Sequence, residues 1–176
     1  MKIIIIISFT AYILLSASYA ATLKSETVFA DTVAISKAEF AASPFGFRLT
    51  LDNFENIYAK TLKRQRYFMR NETNSSQIDT IYRFRKGKTK IFFYKPGRGR
   101  YDGMIMGGVI RMPQVELNNG IRTGISRKEF FGKFSDWFYD ESDSLTLESP
   151  ATACTFTFVF SRNKLKEIKI TVGKDS

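Results

Sequence analysis

The sequence predicts an α+β fold of two tandem modules, each a capped helix followed by an antiparallel sheet. Two pairs of stretches carry that expectation. GFRLTLDNFENIYAK (46–60) and GIRTGISRKEFFGKF (120–134) both open with Gly, a bulky apolar residue and Arg. Each then places an aliphatic residue (Leu51, Ile125), a capping side chain (Asp52, Ser126) and a Glu three residues on (Glu55, Glu129). IDTIYRFRKGKTKIFFYK (78–95) and TFTFVFSRNKLKEIKITV (155–172) both read as strand–turn–strand. At an offset of 76, Tyr82 aligns with Phe158, Phe84 with Phe160 and Gly87 with Asn163, while the helix starts align at 74. A period of this length exceeds the roughly 20–50 residues of a solenoid unit, so it reads as two modules.

Residues 1–20 combine a short positive start, an apolar run and the small-x-small signal Ser18-Tyr19-Ala20, the pattern of a cleaved secretory signal peptide. Residues 21–45 read as a flexible lead-in with at most one short helix. Module 1 (46–117) opens on the capping box of Asp52 and Glu55, and its helix is expected to run to about Lys63. Strands follow over RYFMRN (66–71), over the two arms of a hairpin bent at Gly87, and over MIMGGVIRM (104–112). Gly107 and Gly108 in the last of these signal a bulge or a close backbone approach. Module 2 (118–176) repeats the order: a capping box at Ser126 and Glu129, strand-like WFYDE (137–141) and LTLES (145–149), then a hairpin bent at Asn163.

Composition narrows the chemistry. The chain has no histidine and one cysteine. Ser-His and Cys-His nucleophile pairs, imidazole bases and thiolate metal clusters are therefore excluded. Cys154 alternates with Phe156, Phe158 and Phe160 on the apolar side of a strand and reads as a small buried hydrophobe. No catalytic motif, cofactor motif or metal-binding spacing is present. The one enzymatic reading left uses carboxylates such as Asp136 or Asp140 near Tyr139. The acidic turn 140–143 lacks the glycine and distal Glu of a calcium loop and reads as solvated. Asn71 and Asn74 head N-glycosylation sequons in a polar loop.

Charge is segregated. Residues 60–100 hold 13 basic residues against Glu72 and Asp79, whereas the rest of the chain after the first twenty is slightly acidic. In β-register, Arg83 and Arg85 alternate with Tyr82 and Phe84, so burying the aromatics turns the arginines outward. Lys86, Lys88 and Lys90 surround the turn, and Arg98 and Arg100 extend from the next one. These seven residues, Arg83, Arg85, Lys86, Lys88, Lys90, Arg98 and Arg100, are the expected partner-binding set. The expected partner is an acidic protein surface or an anionic envelope component, either lipid headgroup or acidic glycan. Nucleic acid, the usual reading of such a patch, is disfavoured by export. A scaffolding protein whose basic face only guards a sheet edge is the alternative.

The second module resembles the β-lactamase-inhibitor-protein-like fold, shared by the small SmpA/OmlA-type lipoproteins of the outer-membrane barrel-assembly machinery. The resemblance lies in Gly124-Ile125-Ser126-Arg127-Lys128-Glu129-Phe130 at the helix start, in Trp137-Phe138-Tyr139, and in Phe158-Val159-Phe160 with Asn163-Lys164-Leu165 at the final hairpin. The Gly-x-Pro that often follows the helix is replaced by Gly132-Lys133-Phe134, and no lipid-attachment Cys is present. The resemblance implies a non-catalytic, protein-binding role in the periplasm or outside the cell, with no cofactor, and carries over no partner-contacting residue.

Overall fold

The computed structural model describes residues 33–99 and 102–173. The expected signal peptide over residues 1–20, residues 21–32 and Arg100 lie outside them. Seven strands form one antiparallel sheet: β1 (Lys63–Arg70), β2 (Ile78–Lys86), β3 (Thr89–Lys95), β4 (Met104–Ile110), β5 (Ser144–Ser149), β6 (Cys154–Ser161) and β7 (Lys164–Val172). Their order across the sheet is β1-β2-β3-β4-β7-β6-β5. Among the described residues three short α-helices lie against one face: α1 (Lys37–Ala42), α2 (Leu51–Tyr58) and α3 (Arg127–Gly132). Among the described residues no helix is long and apolar enough to cross a membrane.

Period-two alternation selects the covered face. The row Phe84, Ile91, Gly108, Ile170, Phe156 and Leu147 runs through paired positions across six strands. Phe54 of α2 sits 5.1 Å from Phe84 and 5.0 Å from Phe93 between ring centroids. Phe130 of α3 sits 4.9 Å from Phe158 and 5.2 Å from Phe160. Phe45 touches both Phe54 and Phe156, joining the two halves into one core. Cys154 is buried there as expected, and burial raises its thiol pKa, which keeps it unreactive.

Several expectations change. The part of the lead-in that the structure describes is packed: Ser36 caps α1 by accepting from the Glu39 N–H, and Phe40 is fully buried against Phe134, Phe156 and Phe158. The cap of α2 is Thr50, which accepts from the Asn53 N–H, and Asp52 is exposed inside the first turn. Glu55 pairs with Arg64, 2.5 Å away, instead of returning to the cap. The helix ends at Tyr58 because its carbonyl takes the N–H groups of both Thr61 and Leu62, turning the chain into β1. Ser126 does cap α3, accepting from the Glu129 N–H. Residues 137–141 form no strand. Trp137 packs on Phe130, Phe134 and Phe158, and the Arg127 guanidinium donates to the carbonyls of Asp140 and Ser142, which leaves no ladder to join.

No boundary separates 46–117 from 118–176 in the sheet, which passes unbroken from β4 to β7. The match at offset 76 also fails on handedness. Seen from the helices, β2–β3 and β6–β7 turn in opposite senses, because β7 lies on the β4 side of β6. In the strand order, β4, β3 and β2 on one side of the β4–β7 seam stand opposite β7, β6 and β5 on the other. The glycine expectation holds: a Cβ on Gly108 would lie 2.5 Å from the Lys90 carbonyl oxygen, and one on Gly107 would lie 2.8 Å from that of Ile170. The ladder is irregular between Phe92 and Phe93, opposite this pair.

Two substitutions test this account by urea denaturation. Phe54→Ala is expected to cost about 3–5 kcal/mol, a large part of a domain's stability. Thr50→Ala is expected to cost about 1 kcal/mol and Asp52→Ala to change little, the reverse of what a cap at Asp52 requires.

Candidate functional site: the uncovered face of the sheet

Residues that alternate with the core row point to the other face, which no described element covers. One row there runs Lys63, Arg85, Lys90, Val109, Lys169 and Thr157 through paired positions of β1, β2, β3, β4, β7 and β6. Lys63, Arg85 and Lys90 are adjacent across three strands, all exposed, and none pairs with a carboxylate among the described residues. Like charges directly opposite in a ladder repel, so this row is held against an electrostatic cost.

The neighbouring rows are aromatic and apolar. Arg83 bonds to Gln65 through Nε at 2.9 Å and lies over the Tyr67 ring, 5.1 Å from its centroid. Phe92 is cross-strand from Arg83, and Tyr94 is cross-strand from Ile81. Tyr67, Met69 and Met104 extend the same surface and are exposed. The face is thus a cation row beside an aromatic shelf, mostly in the β1–β4 half.

The shelf ends at a polar anchor. Asp79 is buried and accepts hydrogen bonds from Tyr94 Oη at 2.6 Å, Asn71 Nδ2 at 2.7 Å, the Gly97 N–H at 2.9 Å and Gln77 Nε2 at 3.0 Å. The Tyr94 hydroxyl first, then the Gly97 N–H, hold its carboxyl well below the usual carboxylate range, and the same bond raises the tyrosine's pKa. The arrangement fixes the Tyr94 ring and ties the loops at both ends of the shelf together. It also engages the side-chain amide of the Asn71 sequon.

Of the seven basic residues expected in one patch, Arg83, Arg85 and Lys90 share this face. Lys86 alternates to the helix side at the strand end and Lys88 lies in the turn. Arg98 follows β3 at its opposite end, about 20 Å from that turn by strand rise. Lys63 and Lys169 join the row, and Tyr67, Phe92 and Tyr94 join the arginine face. In KIFFYK both alternating sets are apolar, so the sequence does not reveal which one faces out; Lys169 is brought in by a pairing 60 residues or more from its neighbours along the chain.

The other candidates are occupied. Asp136 accepts from the Lys37 N–H at 2.7 Å beside the start of α1, and Asp140 accepts from Ser142, which lowers its pKa. The acidic turn is organised around the Arg127 guanidinium, and the described residues contain no group of three acidic or sulfur ligands placed for a metal ion. Comparison of the chain with protein-family models, curated proteins and solved structures finds no match, so the reading of the site rests on its geometry.

Asp79 supplies a pH test. Its folded pKa lies below the ordinary value near 3.8, so its stabilisation is present above that value and is lost progressively as pH falls below it towards the folded pKa. Wild-type stability, followed by thermal melts, is expected to drop between about pH 5 and pH 2. Asp79→Asn is expected to be less stable than wild type at neutral pH and to show a flatter acid limb.

Proposed function

We propose that this is an exported, non-catalytic binding protein that holds an anionic macromolecule on the uncovered face of its sheet. The observation that carries the reading is the row Lys63, Arg85 and Lys90, three adjacent cations without a carboxylate partner among the described residues, continued across the sheet by Lys169, which pairs with Glu167. A bound polyanion would offset their mutual repulsion. Among polyanions, an acidic glycan suits the shelf best: Tyr67, Phe92 and Tyr94 offer flat apolar surface to sugar rings, and the cation row lies within reach of the carboxylates or sulfates. Export behind a leader over residues 1–20 belongs to the same reading. So does an origin of the sheet in two copies of a helix-and-strand unit, now matched by strand order on either side of the β4–β7 seam.

The test uses three probes at low and high salt: a polyuronate, vesicles with anionic lipid, and a single-stranded oligonucleotide. Salt-sensitive polyuronate binding is expected, weakened by about tenfold or more in Lys63→Ser/Arg85→Ser/Lys90→Ser, and weakened separately by Tyr67→Ala. Preference for the oligonucleotide would redirect the reading to nucleic acid, where aromatic shelves stack bases. Unchanged binding of all three probes by the triple variant would remove the face from the function.

A further inference from the structure

At the far end of the sheet, β7 changes neighbours. Its pairing with β4 ends at Ile110 and Ile168, and beyond that point residues 123–126 take the place of β4. The Gly124 N–H donates to the Leu165 carbonyl at 2.7 Å, the Leu165 N–H donates to that of Ile125 at 2.9 Å, and Ser126 bridges to Lys164. A crevice of about 620 Å³ opens where the two neighbours part. Its lining includes Arg111, Arg162, Lys164 and Lys166, with Thr123 and Gly124, and no carboxylate.

Two observations point to a ligand. Arg162, Lys164 and Lys166 are exposed and make no ion pair with a described carboxylate. Glu167 is already shared by Arg111 and Lys169, while Glu141 and Asp143 lie with Arg162 on a separate crevice. Thr123 is 5% exposed, and its hydroxyl is buried without a hydrogen-bond partner among the described residues. A buried hydroxyl in that state marks a missing acceptor or water. The left-handed backbone of Arg162 and Asn163, at φ +50° and +59°, is what the two-residue turn between β6 and β7 requires, and it sets Arg162 beside Lys164.

We infer that this crevice is a binding site for a tetrahedral oxyanion, a phosphate or sulfate group, held by Arg162, Lys164 and Lys166 and hydrogen-bonded by the Thr123 hydroxyl. Three cations without a described carboxylate partner, beside an Arg111 already held by Glu167, favour an anion, and a guanidinium beside ammonium groups suits several oxygens of one group. The site lies apart from Lys63, Arg85 and Lys90 and does not depend on them; Glu167 stands between its Arg111 and Lys169 of the row.

Inorganic phosphate and, in a second arm, sulfate are titrated into the full chain at ionic strength matched with chloride, read by amide shifts of Thr123, Gly124 and Lys166. Saturable shifts in either arm support the site, and their relative affinities tell a phosphate source from a sulfate one. Arg162→Ser/Lys164→Ser is expected to abolish them with the remaining spectrum unchanged. Thr123→Val is expected to weaken binding by about tenfold. In chloride alone, the same variant should be at least as stable as wild type, because the hydroxyl it removes has no partner. The inference is overturned if neither anion shifts those amides beyond chloride, or if the double variant binds as wild type does. It is also overturned if Thr123→Val is destabilised in chloride, or if binding is lost in Lys63→Ser/Arg85→Ser/Lys90→Ser instead.

Discussion

The seam between β4 and β7 is the constraint on which the rest of the structure depends. Four residue pairs, Gly107–Thr171 to Ile110–Ile168, join a four-stranded half to a three-stranded one. The β4 backbone is squeezed there between Lys90 and Ile91 on one side and Ile170 on the other, at distances that admit no Cβ on Gly107 or Gly108 without movement. Without that close approach the core row would break at its centre. Phe45 could then not touch both Phe54 and Phe156, and the helices of the two halves would not share one apolar layer.

The same seam organises the opposite face. Because pairing is continuous, alternation is too, and Lys169 of β7 falls in line with Lys63, Arg85 and Lys90. One face is filled with phenylalanine rings in edge and tilted contacts, and the other carries a row of cations beside aromatic surface, of which Lys63, Arg85 and Lys90 have no carboxylate partner among the described residues. Asp79 links the two requirements. Its four donors order the loops beyond β1 and β3, and its bond to Tyr94 sets the position of an aromatic ring on the uncovered face.

Much of this was legible in the sequence where the signal is local. The strand pairs around Gly87 and Asn163, the bulge at the glycine pair, the Ser126 cap and the burial of Cys154 all follow from alternation and turn chemistry. What escaped depends on contacts distant in the chain. Asp52 and Glu55 have the right spacing for a capping box, yet Thr50 is one residue before the helix and takes the role. WFYDE has strand composition, yet Arg127 satisfies its carbonyls. The internal likeness at offset 76 is real as a pattern, but local periodicity carries no handedness, and the strand order decides against it. For the site, the outward arginines were readable from β2 alone. The aromatic shelf and Lys169 were not, because they come from neighbouring strands whose register the sequence does not state.

The strand β1 ends the sheet with all eight residues exposed, and four of them are Lys63, Arg64, Arg66 and Arg70. A free edge is a template on which another polypeptide can extend the ladder, and a row of cations is one of the devices that blunt it. When two molecules approach through this edge, each brings the same four charges, so the repulsion falls on the geometry that would begin an aggregate. That protection is electrostatic, and it thins as the screening length shortens with added salt. Colloidal behaviour and the proposed recognition of an anionic ligand therefore draw on the same reservoir of positive charge.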